Sequence, residues 1–220
     1  MLINNIKSFV LTIVLIGVSA AYAGSYEDYF RAIELDDEVT IGALLRKGFD
    51  PNTVNPSGIH GLLVAVKSPS PKAARVIAQW PQTRVEARNA TDESALMLAA
   101  LNGDLALCQL LIGRNADVNK TGWTPLHYAA TGGHLDVMRL LLDEHAYIDA
   151  ESPNRTTPLM MAAMYGTPAA VKTLLEAGAD PMLKNIQSLS ALDFALRASR
   201  EDSAEIIRAF VRGQRSKGTW

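Results

Sequence analysis

The sequence predicts an all-α protein, built as a solenoid of about six stacked helical hairpins. The main observation is a repeat of aligned leucines, separated by 34, 30, 33 and 33 residues: Leu62, Leu96, Leu126, Leu159 and Leu192. Helix-starting residues precede most of these leucines, and a second apolar helical segment follows each one. A period of 20 to 50 residues is typical of solenoids and arrays.

The clearest motif spans 122–130, in the order Gly-Trp-Thr-Pro-Leu-His-Tyr-Ala-Ala. The hydroxyl of Thr124 can cap a helix, and Pro125 suits the first helical position, where no backbone N–H is needed. Gly133 then supplies a reversal before a second, leucine-rich helix over 137–142. The two adjacent alanines would let these helices approach closely, so the motif predicts one helical hairpin.

This pattern resembles the ankyrin repeat, whose Thr-Pro-Leu-His-x-Ala-Ala-x-x-Gly-His signature is almost complete over 124–134. The resemblance covers 26–211 and is strongest over 94–181. It implies stacked helix-turn-helix units joined by hairpin-like loops, with partners held in a concave groove. We therefore expect an ankyrin repeat domain over 24–212, with degenerate first and last units as caps.

Length and composition favour one folded domain. Of the 220 residues, 48% are hydrophobic, which allows a core and excludes a largely disordered chain. The 21 basic and 23 acidic residues give a net charge of −2 and are mixed along the sequence. Since no cluster of basic residues indicates a nucleic-acid surface, we expect no nucleic-acid partner.

The amino terminus has the pattern of a secretory signal peptide over 1–23. Lys7 precedes an apolar run over 9–18, and Ala21 and Ala23 are the small residues expected before a cleavage site. The alternative is an uncleaved membrane anchor, but the 15 residues from the start of the run to Ala23 are short for a span of about 20. We expect a mature chain without a stable membrane anchor, periplasmic or secreted.

Cys108 is the only cysteine, so no internal disulfide can form even in an oxidising compartment. It lies beside Leu107 and Leu110 in the second helix of its repeat. Free cysteine is often simply a small buried residue, so we interpret Cys108 as core and a reactive thiol as the less favoured alternative.

The first two repeats are expected to be degenerate. The acidic segment 34–38 is interpreted as the solvated outer face that an end repeat needs. In the second repeat, Pro69 and Pro71 interrupt the turn between the helices. They predict irregular packing over 58–82.

The later repeats depart from the pattern in two loops and a tail. Leu126 follows Ala116 by 10 positions, whereas the equivalent spacing in each of the next two repeats is 13. The hairpin loop over 119–123 should therefore be unusually short. We interpret Trp123 at its rim as covering a neighbouring turn, with a binding role as the alternative. The sixth repeat has no reversal glycine, which predicts a longer interhelical loop over 197–202, and 213–220 is expected to be a flexible tail.

No arrangement of residues indicates catalysis, a metal or a cofactor. A zinc site needs three or four ligands at defined spacings, and the four histidines provide none. By the resemblance, His127 and His134 serve the fold through hydrogen bonds to neighbouring turns. Because no nucleophile, base and orienting group can be assembled, we predict a protein that is not an enzyme and has no cofactor.

Equivalent positions on the predicted inner helices indicate a binding surface. In chain order they are Arg31, Val64, Leu98, Tyr128, Met161 and Phe194, and one helical turn later Glu34, Lys67, Leu101, Thr131, Met164 and Arg197. Charge at the ends and apolar character in the middle predict a protein-binding groove. The candidate partner-binding residues are Leu98, Leu101, Tyr128, Met161, Met164 and Tyr165. For Leu98 and Leu101, simple core packing is an equal alternative.

The sequence thus predicts a non-catalytic, monomeric protein-binding module that acts in the periplasm on another protein. The alternative is a specific inhibitor or protective partner of a periplasmic or incoming enzyme, for which an acidic net charge and a groove would suffice. The partner itself is not specified, because a fold does not determine its ligand.

Overall fold

Helices make up nearly all the regular structure in the computed structural model, which describes residues 24–68 and 70–216. Within those residues the only β-pairing consists of two isolated antiparallel bridges, at the hairpin loops before the second and third repeats. The predicted signal peptide over 1–23 lies outside the described residues. The all-α prediction is confirmed.

The first unit, Met1–Arg84, contains four helices in its described residues. They are α1 over 24–34, α2 over Glu38–Arg46, α3 over Gly61–Lys67 and α4 over Pro71–Gln79. Helix α4 packs against both α2 and α3. This unit therefore provides the first two helical hairpins.

The second unit, Val85–Trp220, contains four further hairpins in its described residues. Their inner helices are α5 Ala95–Asn102, α7 Pro125–Gly132, α9 Pro158–Met164 and α11 Ala191–Arg197, and their outer helices are α6 Leu105–Gly113, α8 Leu135–Asp143, α10 Pro168–Glu176 and α12 Glu201–Ser216. The inner helices pack in chain order, and so do the outer helices. This regular stacking confirms the predicted solenoid.

The aligned leucines form the centre of each repeat. Leu96, Leu126 and Leu159 are fully buried in the second unit, as is Leu62 in the first. Leu192 is only half-buried, since no further described repeat packs on α11. The predicted register of the repeats is therefore correct.

The acidic segment 34–38 is exposed at Glu34 and Glu38, as the sequence interpretation expects, but its two aspartates also have structural roles. Asp36 Oδ1 accepts hydrogen bonds from the backbone N–H groups of Lys72 and Ala73, at 2.9 and 2.8 Å. Asp37 caps α2 by accepting from the N–H groups of its first turn. These carboxylates satisfy helix N-termini, which otherwise leave several N–H groups unpaired.

The second repeat is also more regular than predicted. The prediction placed Pro71 in the turn between the helices, whereas it is the first residue of α4, a position that favours proline. His60 replaces the usual threonine cap, because its Nδ1 accepts from the N–H of Leu62 at 3.1 Å. Pro69 lies outside the described residues.

The predicted longer loop over 197–202 is wrong. Helix α11 ends at Arg197 and α12 begins at Glu201, so the reversal takes three residues, as it does between α9 and α10. Ser199 adopts the left-handed conformation, with φ of 55°, that the missing glycine would otherwise supply. Helix α12 also continues to Ser216, so the predicted tail over 213–220 begins as helix, and 217–220 lies outside the described residues.

In the described part of the chain, no helix is both long enough and apolar enough to cross a membrane.

Candidate functional site

A cleft opens on the inner helices α5, α7 and α9 and on the loop before α7. It has a volume of about 200 Å³, and we call it the central cleft. Its lining residues are Leu101, Trp123, His127, Tyr128, Thr131 and Met161. All but the buried His127 are partly accessible to solvent, so a partner could reach them.

The central cleft brings together three of the six predicted binding residues, namely Leu101, Tyr128 and Met161. Leu98 is only 6% exposed and belongs to the core, which was the alternative for that position. Met164 and Tyr165 do not line the cleft. Tyr165 is 52% exposed at the C-terminal end of α9, where its carbonyl accepts a hydrogen bond from Arg200.

Trp123 lies in the short loop before α7 and lines the central cleft. Its ring meets that of His127 edge-on, with 5.2 Å between the ring centroids. The sequence interpretation was that Trp123 covers a neighbouring turn, with a binding role as the alternative. In the structure the indole packs against His127 and also lines the cleft. The three-residue deletion is the sequence signal that could have placed Trp123 in the site.

Lys120 holds this short loop in place, although a lysine in a hairpin loop suggests an exposed tip. Its side chain is only 3% exposed, and Nζ donates to Asp92 and to the carbonyl oxygen of Trp123. The ammonium therefore ties the loop to the preceding hairpin loop. It also fixes the backbone of the tryptophan that lines the cleft.

Tyr128 is anchored at its far end by Glu93. The phenol O–H donates to Glu93 Oε1 at 2.9 Å, and burial together with this carboxylate raises the pKa of Tyr128. The second carboxylate oxygen of Glu93 accepts from the side chains of Asn89 and Thr91. The phenol is thus held in place by a hydrogen-bond network while the side chain lines the central cleft.

The two motif histidines act structurally, as the resemblance implied. His127 is fully buried, and burial is the main reason why its pKa falls to about 4. His134 Nε2 donates to the carbonyl oxygen of Leu101 at 2.8 Å, which connects consecutive reversals. Both rings thus donate hydrogen bonds to backbone carbonyl oxygens of neighbouring repeats.

The described residues show neither a metal site nor a reactive cysteine thiol. No group of three or more His, Cys, Asp or Glu side chains in that part of the chain could hold a metal ion. Cys108 is fully buried, and burial raises the pKa of its thiol to about 12, which disfavours the reactive thiolate. This is the packed thiol that the sequence predicted.

A larger cleft, of about 360 Å³, lies at the last repeat. Its lining includes the apolar side chains of Leu192, Ile207 and Val211 and the charged side chains of Lys184, Asp193, Arg208 and Arg212. We call it the end cleft. It differs from the central cleft in having a charged lining.

Stacked hairpins with a side-chain-sized cleft on their inner helices define a helical repeat protein. The family described as ankyrin repeats (3 copies) matches residues 30–121, 62–152 and 96–185. The chain belongs to this family. It is accordingly a protein–protein interaction module, and the described residues show repeats alone.

Several known proteins share this repeat region. The chain is 30% identical over 152 residues to the nuclear factor NF-kappa-B p105 subunit of Mus musculus, across 67% of this chain and 15% of that protein. It is 43% identical over 96 residues to the probable E3 ubiquitin-protein ligase XBOS31 of Oryza sativa subsp. japonica, across 41% of this chain and 21% of that protein. The SH3 and multiple ankyrin repeat domains protein 2 of Homo sapiens is 30% identical over 113 residues, across 50% of this chain and 6% of that protein. The chain therefore spans only a small part of these relatives.

Proposed function

We propose that this chain is an exported protein-binding module that acts in the bacterial periplasm and holds its partner on the inner-helix face. By inner-helix face we mean the accessible surface of α5, α7 and α9 around the central cleft. The observation that carries this proposal is the cleft itself, where Trp123, Tyr128 and Met161 from consecutive repeats converge.

The chemistry of this face favours a protein partner. Aromatic residues and methionine are enriched in interface cores, whereas lysine and glutamate are depleted there. Tyr128 is held rigidly by Glu93, so little side-chain freedom is lost when a partner binds it. Met161 can adapt its shape to the partner surface.

Export is supported by the amino-terminal pattern over 1–23. We propose cleavage after Ala23, which releases a monomeric chain without a membrane anchor and without affinity for nucleic acid. The fold suits an oxidising compartment, because its single thiol is buried and no native disulfide has to form.

A photo-crosslinking residue placed at Met161 tests this proposal in the native host. We expect a specific adduct with one protein in the periplasmic fraction. The matched control carries the same residue at Gln109, which is exposed on the outer helix α6. Equal adducts at both positions, or none at Met161, would contradict the proposal, whereas loss of an enzymatic activity of the captured protein would identify an inhibitory or protective role.

A further inference from the structure

We infer that the central cleft receives one large uncharged side chain of the partner, aliphatic or aromatic, as its anchor. This inference rests on the proposed function and names the chemistry that the partner must present at that site. Three features of the cleft support it: its volume, its uncharged lining and the nature of its walls.

The cleft is smaller than a typical small-molecule site. Ligand pockets hold about 300 to 1,000 Å³, whereas the central cleft holds about 200 Å³. In protein interfaces, a single bulky side chain that fills such a pocket commonly supplies much of the affinity. The central cleft has the size for one anchor of this kind.

The lining carries no charge that could pair with a charged anchor. The carboxylate nearest to Tyr128 is that of Glu93, which already accepts hydrogen bonds from Tyr128, Asn89 and Thr91. His127 is neutral at ordinary pH because burial lowers its pKa to about 4. A charged side chain would lose its hydration in the cleft, and the lining itself offers it no opposite charge, which is costly.

The walls fit both aliphatic and aromatic anchors. Trp123 and Tyr128 are rigid aromatic surfaces, the first set against His127 and the second tied to Glu93. Met161 and Leu101 supply aliphatic contacts, and the flexible thioether adjusts to the shape of the guest. Thr131 also lines the cleft, and its hydroxyl already donates to the carbonyl oxygen of His127 at 2.8 Å.

The first experiment measures side-chain preference without the natural partner. Blocked tripeptides Ac-Gly-Xaa-Gly-NH2, with Leu, Phe, Lys or Glu at the centre, are titrated into the mature chain, and the NMR signal of the Met161 methyl group is followed. We expect millimolar binding for the Leu and Phe peptides, at least about 10-fold tighter than for the Lys and Glu peptides. Equal shifts for all four peptides, or no shift with Leu and Phe, would overturn the inference.

The second experiment fills the cleft and uses the crosslinked partner. Thr131→Phe places a ring in the central cleft, and Gln109→Phe places the same ring on the outer helix α6 as a matched control. We expect Thr131→Phe to weaken partner binding at least about 10-fold and Gln109→Phe to leave it unchanged. Arg212→Ala tests the end cleft in the same assay and should also leave binding unchanged.

The outcomes separate this inference from the proposed function. If Met161 still crosslinks to the partner while Thr131→Phe binds it normally, the inner-helix face binds the partner and the anchor inference is wrong. If the Leu and Phe peptides occupy the cleft but Met161 gives no adduct, the cleft chemistry is correct and the proposed function is wrong. Should Thr131→Phe fail to fold, the peptide series alone decides the inference.

Discussion

The ring of His127 on α7 donates from Nε2 to the carbonyl oxygen of Thr156 in the next repeat, at 2.8 Å. Its Nδ1 accepts the backbone N–H of Thr124 at 3.1 Å, which assigns the neutral tautomer with the proton on Nε2. One side chain therefore caps its own helix and also joins two repeats. Protonating Nδ1 would remove the acceptor of the Thr124 N–H and would place a charge in a buried site, although Nε2 could still donate to Thr156.

This arrangement predicts a dependence of stability on pH. The pKa of His127 is about 4 in the folded chain, against 6.5 for the free side chain. The unfolded chain therefore takes up the proton first as the pH falls. The contribution of neutral His127 to the free energy of unfolding should therefore be complete above pH 6.5. Between pH 6.5 and pH 4, this residue should lower the free energy of unfolding by about 3 kcal/mol. His60, whose pKa is also lowered to about 4, contributes with the same sign.

His127→Met isolates the contribution of His127, because Met97 and Met160 occupy the equivalent position in neighbouring repeats. The variant loses the hydrogen bond to Thr156, so it should be less stable at neutral pH by about 1 to 3 kcal/mol. Its free energy of unfolding should fall less steeply than that of the wild type between pH 6.5 and 4. Urea unfolding across this range makes the measurement, and parallel curves for both proteins would contradict the assignment.

Thr156→Val is predicted to be neutral or stabilising. In the part of the chain that the structure describes, Thr156 Oγ1 is buried without a hydrogen-bond partner. Valine has the same branched shape, so it removes the unsatisfied hydroxyl while the backbone carbonyl that binds His127 remains. We expect a gain of up to about 1 kcal/mol in the free energy of unfolding. A loss above about 1 kcal/mol in urea unfolding would show that the hydroxyl is bonded.

Gly166→Ala should be strongly destabilising. A Cβ at Gly166 would lie 2.4 Å from the carbonyl oxygen of Ala130, a backbone atom of the preceding repeat that cannot simply move aside. The matched control is Gly113→Ala at the end of α6, where an added Cβ meets nothing within 4 Å. We expect the control to stabilise the helix by about 0.5 to 1 kcal/mol and Gly166→Ala to cost at least about 1 kcal/mol. Equal melting temperatures for the two variants would contradict this packing.

The repeat register could be predicted because its signals are local. Ser94 and Thr157 cap the helices that follow them, and the leucine two residues after each cap is fully buried. Such helix starts depend on residues three or four positions apart, which the sequence shows directly. The period of the leucines then fixes the stacking order.

The departures come from polar side chains whose partners are remote in sequence. Asp36 binds N–H groups at 72 and 73, and Arg200 donates to the carbonyl oxygen of Gly166 at 2.7 Å. Lys120 reaches Asp92, so a residue that looks like an exposed loop tip is buried. The sequence located Tyr128 and Met161 in the candidate site but placed Leu98 there as well. The reason is that periodicity does not distinguish a groove from the core beneath it.

Cleavage after Ala23 is tested on protein purified from its native host. We expect amino-terminal sequencing to begin at Gly24, because the small residues at Ala21 and Ala23 suit a signal peptidase. The expected source is the periplasmic fraction. Recovery of intact Met1 from the cytoplasm would contradict export.

The most direct test of the central claim is the affinity of the crosslinked partner for variants of the inner-helix face. A central aromatic in an interface contributes about 2 kcal/mol or more, so Tyr128→Ala should weaken binding about 30-fold or more, and Met161→Ala should also weaken it. The control is Tyr147→Ala, because Tyr147 is 68% exposed outside the central cleft and its removal should leave affinity unchanged. Urea unfolding first establishes that each variant is folded. Isothermal titration calorimetry then measures the affinity of each variant for the partner. Unchanged affinity for both Tyr128→Ala and Met161→Ala would contradict binding through the inner-helix face.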